Sequence, residues 1–432
     1  MEKILLPHQY YYPHMDLLKD KSSIHKEKEF FESLDANQTP NDAMIYVHIP
    51  FCDSKCVFCG FDKVYDKTEI EFYADMLNRE IELFSTKPYV KNLKMNGIHF
   101  GGGTPTILPE TILGGIIDKI RNSFNITDDA VLNIEGSATT LYKDSMIGLL
   151  KEKRVSRVSV GVQTFYEKLR SEYNCKASLE EVYRTLNNLK EQGIVTYIDI
   201  MYGYPDFGIG DMHDIVISDL KKAAELQVEG IDFGQIYPFS NPMEKVIKER
   251  NLSFPSAAYI VDLISAATKL MESSGYTQKT AYGFTKKGEI IIETSYYGGC
   301  RKVPDCLAFG SGAFGFLNGY KYRNTSYNSY INRNALCFSQ LKRLSTFELE
   351  RMNVVGFPKL LMLSRDMLSG ELSDEYGERL ARLIQEGLLE ETSSGYNLTS
   401  KGKCFIDDIY YCMLDEQEKS IVDKQIKVLK LC

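Results

Sequence analysis

From Met44 to Pro238, short apolar runs alternate with stretches of helical periodicity, and this alternation narrows the possible folds most. Strands are expected at 44–49 ("MIYVHI"), 97–103 ("GIHFGGG"), 130–136, 157–163, 195–203 and 230–238. Helices are expected between them, at 67–86, 109–124, 145–153, 178–193 and 212–227. Strands separated by helices pair in parallel through βαβ crossovers. Richness in Ile, Val and Tyr suits strands covered on both faces. The expected class is α/β, a partial (β/α)6 barrel, with a closed eight-fold barrel as the alternative.

Around this core, residues 1–43 are polar, Lys-rich and Tyr-rich and read as an N-terminal extension. Residues 44–240 form the barrel core, 241–339 complete it and supply a loop at its mouth, and 340–432 form a C-terminal domain. Within that last part a helix at 374–391 runs into "TSSGYNLTSKGKCFIDDIYYCML", a hairpin turning at Ser394-Gly395 followed by another helix. That is a helical, winged-helix-like pattern. It would serve either to bind nucleic acid or to pack as a lid over the barrel, and the lid is preferred. A formal charge of −8 over 432 residues argues against wholesale nucleic-acid binding.

No apolar run has the length of a membrane span, and the N-terminus lacks the basic start and apolar core of a secretory signal, so the expected compartment is the cytoplasm. In a reducing compartment, closely spaced cysteines point to metal or redox chemistry. Three of the ten cysteines, Cys52, Cys56 and Cys59, fall within "IPFCDSKCVFCGF", directly after the first strand. Structural zinc takes four ligands, and so does an ordinary cubane. Three thiolates can hold three irons of a [4Fe–4S] cluster and leave the fourth open to an exogenous ligand. Phe51, Phe58 and Phe61 would give it an apolar shell.

The motifs "YVHIPFCDSKCVFCGF", "HFGGGTPT", "IEGS", "SVGVQTF" and "IDIMYGYP", in this order, resemble those of radical S-adenosylmethionine (SAM) enzymes. The resemblance is to the oxygen-independent coproporphyrinogen oxidase-like (HemN/HemW-like) branch. With "GSGAFGFLNGYKYRN" and the C-terminal region it covers about nine-tenths of the chain.

The resemblance implies that SAM chelates the open iron and is cleaved by one electron to a 5′-deoxyadenosyl radical. It implies cluster ligation by Cys52, Cys56 and Cys59, and SAM contacts from Gly101, Gly102, Gly103, Thr104 and Glu135. Gln163 and Asp199 match adenosyl-ribose contacts, or else cap the helices that follow. Tyr46 stands at a SAM-proximal position, or else in the strand core. Phe239 and the loop holding Gly312, Ala313 and Phe314 are candidates for a second SAM or a flat ligand. The implied electron donor is a flavodoxin or ferredoxin.

Two departures bear on the reaction. Phe61 stands where the coproporphyrinogen enzymes have a further cysteine. Cys175 stands where an arginine usually pairs the SAM carboxylate, with Lys176 beside it as a substitute charge. The run "FCGF" with "IEG" looks more like anaerobic haem-degrading and class C radical methyltransferases, which use two SAM molecules. Methyl or methylene transfer to a flat aromatic or tetrapyrrole substrate is therefore expected ahead of oxidative decarboxylation. A haem chaperone is the non-catalytic alternative. Cys300 and Cys306 are read as buried bystanders, with a substrate-facing thiol as the other reading; Cys337, Cys404, Cys412 and Cys432 are read as packing or surface residues.

Overall fold

The computed structural model describes residues 23–36, 42–236, 242–286, 305–332, 338–368 and 370–430. Phe239, Cys300, Cys337 and Cys432 lie outside the described residues.

Strands β1 (Asp42–Ile49), β2 (Lys94–Gly102), β3 (Ile126–Gly136), β4 (Arg157–Gln163), β5 (Val195–Tyr202) and β6 (Gly230–Gln235) lie side by side in chain order. All five pairings are parallel. Beyond β6 come β8 (Gly283–Lys286) and β7 (Tyr276–Gln278), both antiparallel. On the other side β9 (Asp305–Phe309) runs parallel to β1, and β10 (Phe314–Leu317), β11 (Tyr320–Asn324) and β12 (Phe338–Arg343) follow antiparallel. The result is one 12-stranded sheet with β12 and β7 at its two edges, so the barrel is open rather than eight-fold and closed.

The period of two along each strand sorts the side chains. Ile45, Val47, Ile98, Phe100, Leu132, Ile134, Val158, Val160, Ile198 and Ile200 form one buried face, under the crossover helices. The alternate positions, Tyr46, His48, His99, Asn133, Glu135, Arg157, Ser159, Gln163, Asp199 and Asp232, face the barrel interior. Local signals set the helix limits. Ser178 and Glu181 form a capping box at the start of helix Leu179–Glu191, and Gly193 at φ +68° lets the chain leave it.

The stretch read as an extension contains helix Ile24–Ser33, whose fully buried Phe30 packs edge-on to Phe84, Tyr320 and Phe338. The expected break at 339/340 falls inside β12, and the helical region begins at helix Thr346–Leu360. Helix Glu371–Gln385, the hairpin β14 (Leu389–Glu391) and β15 (Gly395–Leu398), and helix Ile406–Met413 give the winged-helix pattern. β13 (Met362–Ser364) completes its three-stranded sheet. This region abuts the β7–β8 hairpin, where Ala281 N–H donates to the Lys359 carbonyl at 2.8 Å. Among the described residues no helix is long and apolar enough to cross a membrane.

Candidate cofactor site at the mouth of the barrel

The cysteine loop is tied to the strand ends by its backbone. Gly103 N–H donates to Ile49 O at 2.7 Å, and Thr104 N–H to Phe51 O at 2.8 Å. Cys52 N–H donates to Val64 O and Val64 N–H to Pro50 O, which folds the loop back on itself. Val57 N–H reaches Tyr173 O and Asn174 Nδ2 reaches Lys55 O, so the segment after β4 grips the same loop. Cys52, Cys56 and Cys59 are free thiols. Burial, against the pull of Lys63, pushes the Cys56 thiol up to about 12. Three thiolates on a cubane each take a separate iron, so the three free thiols of this loop fit a cluster with one iron left over.

The apolar shell is smaller than expected. Phe58 packs edge-on to Tyr173 at 5.1 Å. Phe51 is fully buried against Tyr73 and Tyr327, and Phe61 is 53% exposed.

Each glycine of the triplet stands where a side chain would collide with the protein itself. A Cβ on Gly101 would meet His99 Nε2 at 2.8 Å and Glu135 Oε1 at 3.0 Å. Gly102 has φ +106°, and a Cβ there would strike the His48 ring at 2.5 Å; one on Gly103 would overlap the Phe51 carbonyl. The glycines make room first for the protein's own His48, His99 and Glu135. Thr104 is buried, with Oγ1 3.4 Å from Cys52 Sγ, so its hydroxyl faces the cluster loop.

Glu135 sits at the end of a hydrogen-bonded line. Its Oε2 accepts from Gly102 N–H at 3.3 Å, and its Oε1 lies 3.0 Å from His99 Nε2. Asn133 Nδ2 lies 2.7 Å from His99 Nδ1, while Asn133 Oδ1 accepts from Ser159 Oγ at 3.5 Å. With the amide donating to Nδ1, the imidazole keeps its proton on Nε2 and donates it to Glu135. Arg157 continues the line, donating to Ser159 Oγ at 3.1 Å and Asp232 at 3.4 Å. Burial opposes the Glu135 charge, but the His99 and Gly102 hydrogen bonds and nearby His48 hold the carboxyl below its ordinary range. An anion fixed at a strand's C-terminal end is fit to receive an ammonium.

Tyr46 packs against the strand core and also touches this cluster. Its ring stacks on His99 at 5.7 Å and its hydroxyl lies 3.0 Å from His48 Nδ1. Burial pushes His48 down to about 4. Gln163 takes the left-handed conformation at φ +71°, and its buried Oε1 has no hydrogen-bond partner. Its amide and the Asp199 carboxylate both border the space above Gly161. An orphaned acceptor beside a carboxylate suits the hydroxyls of a ribose. Neither residue caps a following helix: the described N-caps of helices Glu167–Glu172 and Met212–Leu226 are Tyr166 and Asp211.

Lys176 does not point its charge at that space; it pairs with Asp53 on the cysteine loop at 3.3 Å. Cys175 is half-buried, its thiol raised to about 11 chiefly by burial. In the Gly312–Phe314 loop, Gly312 has φ +67° and Ala313 is buried. Gly312 and Phe314 are partly open, with the Arg323 guanidinium 4.6 Å from the Phe314 ring centroid. Buried Glu80 anchors this loop, accepting from Gly310 N–H, Asn324 Nδ2 and Tyr330 Oη. Cys306 is buried in β9, its thiol raised to about 12 by burial, as a bystander would be. Cys404 is buried and Cys412 half-buried.

His48, His99 and Asn133 escaped the motif reading. Their signal was present: a histidine at an alternate position of an otherwise apolar strand must face the polar side.

Residues 46–217 match the radical SAM superfamily model. The chain is 22% identical to the coproporphyrinogen III oxidase (HemN) of Escherichia coli, described as a radical SAM enzyme, with a TM-score of 0.77 over 92% of this chain and 98% of that one. Over that segment the chain is similar to radical SAM proteins, and over more of its length to proteins of the HemN/HemW-like branch. An anaerobilin synthase of Escherichia coli O157:H7 is 28% identical over 68% of this chain, a match that spans 65% of that relative. A heme chaperone HemW of Buchnera aphidicola subsp. Schizaphis graminum is 26% identical over 86% of this chain and 98% of its own length. A [4Fe–4S] cluster and SAM are the cofactors that the match over residues 46–217 implies, and the three-cysteine loop lies within it.

Proposed function

We propose that this chain is a radical SAM enzyme that modifies a flat tetrapyrrole-type substrate, by methyl or methylene transfer with a second SAM. The observation that carries the enzymatic reading is Glu135, held as an anion by His99 and Gly102 at the mouth of the barrel, across from the cysteine loop. The tetrapyrrole class is supported by the names of the relatives, an anaerobilin synthase, a heme chaperone and a coproporphyrinogen III oxidase.

Cys52, Cys56 and Cys59 would hold the cluster, and Glu135, Gln163 and Asp199 would orient SAM by its ammonium and ribose. With cluster and SAM bound, the site supplies one-electron cleavage of the sulfonium and a carbon radical that abstracts hydrogen. Tyr46, stacked on His99 and bonded to His48, walls the interior where substrate enters. The reducing partner would be a flavodoxin or ferredoxin.

The chaperone reading stands second, because the heme chaperone aligns over nearly its full length whereas the anaerobilin synthase aligns over 65%. Anaerobic incubation of reconstituted protein with dithionite, methyl-labelled SAM and haem or porphyrins decides between them. 5′-Deoxyadenosine together with label in the macrocycle is expected. Haem binding with SAM left intact would establish the chaperone reading, and 5′-deoxyadenosine with loss of CO2 would establish decarboxylation.

A further inference from the structure

The segment after the last cysteine doubles back along the first part of the loop. Val64 pairs with Phe51 in a parallel bridge, with Cys52 N–H donating to Val64 O at 3.0 Å and Val64 N–H to Pro50 O at 2.9 Å. These bonds fix Lys63, Val64 and Tyr65 beside the strand end that carries Cys52. Lys63 is half-buried, and its ammonium faces the thiols: it donates to the Cys59 sulfur and lies within electrostatic reach of Cys52 and Cys56. Of the charges around Cys56, Lys63 acts on it most strongly, ahead of Cys175, Cys52 and Cys59.

The neighbouring charges are turned elsewhere. Lys55 stands over the Tyr65 ring at 4.9 Å, and Lys176 pairs with Asp53 at 3.3 Å. Asp66 is exposed and accepts from Thr68 N–H at 2.9 Å, while Asp62 is exposed and within reach of His48. Lys63 is thus a compact point charge set against a ligand sulfur. Three thiolates make a bound cluster electron-rich, and each electron taken up adds negative charge. A cation hydrogen-bonded to a ligand sulfur stabilises the reduced cluster more than the oxidised one and raises its potential. Partial burial strengthens the effect, because less water screens the charges.

We propose that Lys63 sets the reduction potential of the cluster, through a hydrogen bond from its ammonium to the Cys59 sulfur that favours the reduced state. Lys63 is a positioning residue, acting through Cys59. The step it eases is a one-electron reduction, in which the electron passes from dithionite or a flavodoxin-type donor to the cluster and no bond breaks. The inference rests on the cluster reading and deepens it.

The test is a redox titration of the reconstituted holoprotein without SAM, the reduced cluster being followed by electron paramagnetic resonance. At a given potential, Lys63→Met is expected to shift the ratio of reduced to oxidised cluster about tenfold toward oxidised, roughly 59 mV for one electron. Lys63→Arg, which keeps the charge and a donor, is expected to recover most of that shift. Lys55→Met, which removes the charge over Tyr65, is expected to move the potential far less. Iron and sulfide content and circular dichroism check that each variant is loaded and folded. If Lys63→Met does not load, Lys63→Gln takes its place in the same comparison. A wild-type potential in the loaded, uncharged Lys63 variant overturns the inference, as does an equal shift in Lys55→Met. A wild-type protein that assembles no reducible cluster overturns the cluster reading and this inference with it.

Discussion

Along β3 to β6 the acidic inward positions are Glu135, Asp199 and Asp232; along β11 and β12 the inward positions are Lys321, Arg323, Gln340 and Lys342. The first wall is parallel, and each strand ends at the mouth, where it can offer one side chain to a shared ligand. The second is an antiparallel meander with short turns. SAM carries an ammonium and a sulfonium. The two walls carry opposite signs across one interior, which on the proposed reading would suit a cationic cofactor on the first.

Removing the cluster should break this arrangement most completely. Cys56→Ala is expected to lower bound iron and sulfide about tenfold and to abolish 5′-deoxyadenosine formation, by metal analysis and chromatography. On the acidic wall, Glu135→Gln should weaken SAM about tenfold or more in equilibrium dialysis, because it removes a fixed charge while keeping the shape. His99→Leu should do nearly the same although His99 is not placed against SAM, and His99→Gln, which retains a donor toward Glu135, should restore most of the affinity.

Gly102→Ala is a smaller, structural test. A side chain at φ +106° that also meets the His48 ring at 2.5 Å should cost roughly 1–3 kcal/mol, read as a lowered thermal midpoint. The pH dependence is subtler. His48 is held at about 4 in the folded chain against 6.5 unfolded, so the unfolded chain binds the extra proton between those values. The neutral, buried imidazole contributes its stability above about pH 6.5, and this is lost as pH falls toward 4. About 3 kcal/mol is at stake. Denaturant titrations across this window should show a slope that His48→Gln flattens.

The parallel wall was legible in the sequence because its strands alternate and its motifs follow one another in order. The strand Arg157–Gln163 matches the expected span, and the cysteines, Glu135, Gln163 and Asp199 follow from motifs that resemble a known family. What escaped was what those strands hold between motif residues. His99 and Asn133 orient Glu135 through side-chain geometry, which no spacing rule encodes. The basic wall escaped for another reason. Strands of four to six residues, such as Phe314–Leu317, carry too few periods for a pattern, and their facing depends on pairing with β9 and β1, far away in sequence. Helix Ile24–Ser33 was hidden likewise, since Phe30 and Phe31 are its only strongly apolar contacts within a polar stretch.

The central claim is that three thiols leave one iron for SAM. Electron paramagnetic resonance of the dithionite-reduced cluster, recorded with and without SAM, tests it most directly. The account predicts a clear shift of the g-values on adding SAM, and a much weaker response in Glu135→Gln at the same concentration. A reduced-cluster spectrum unmoved by saturating SAM would contradict it, because the fourth iron would then not be the place where SAM binds.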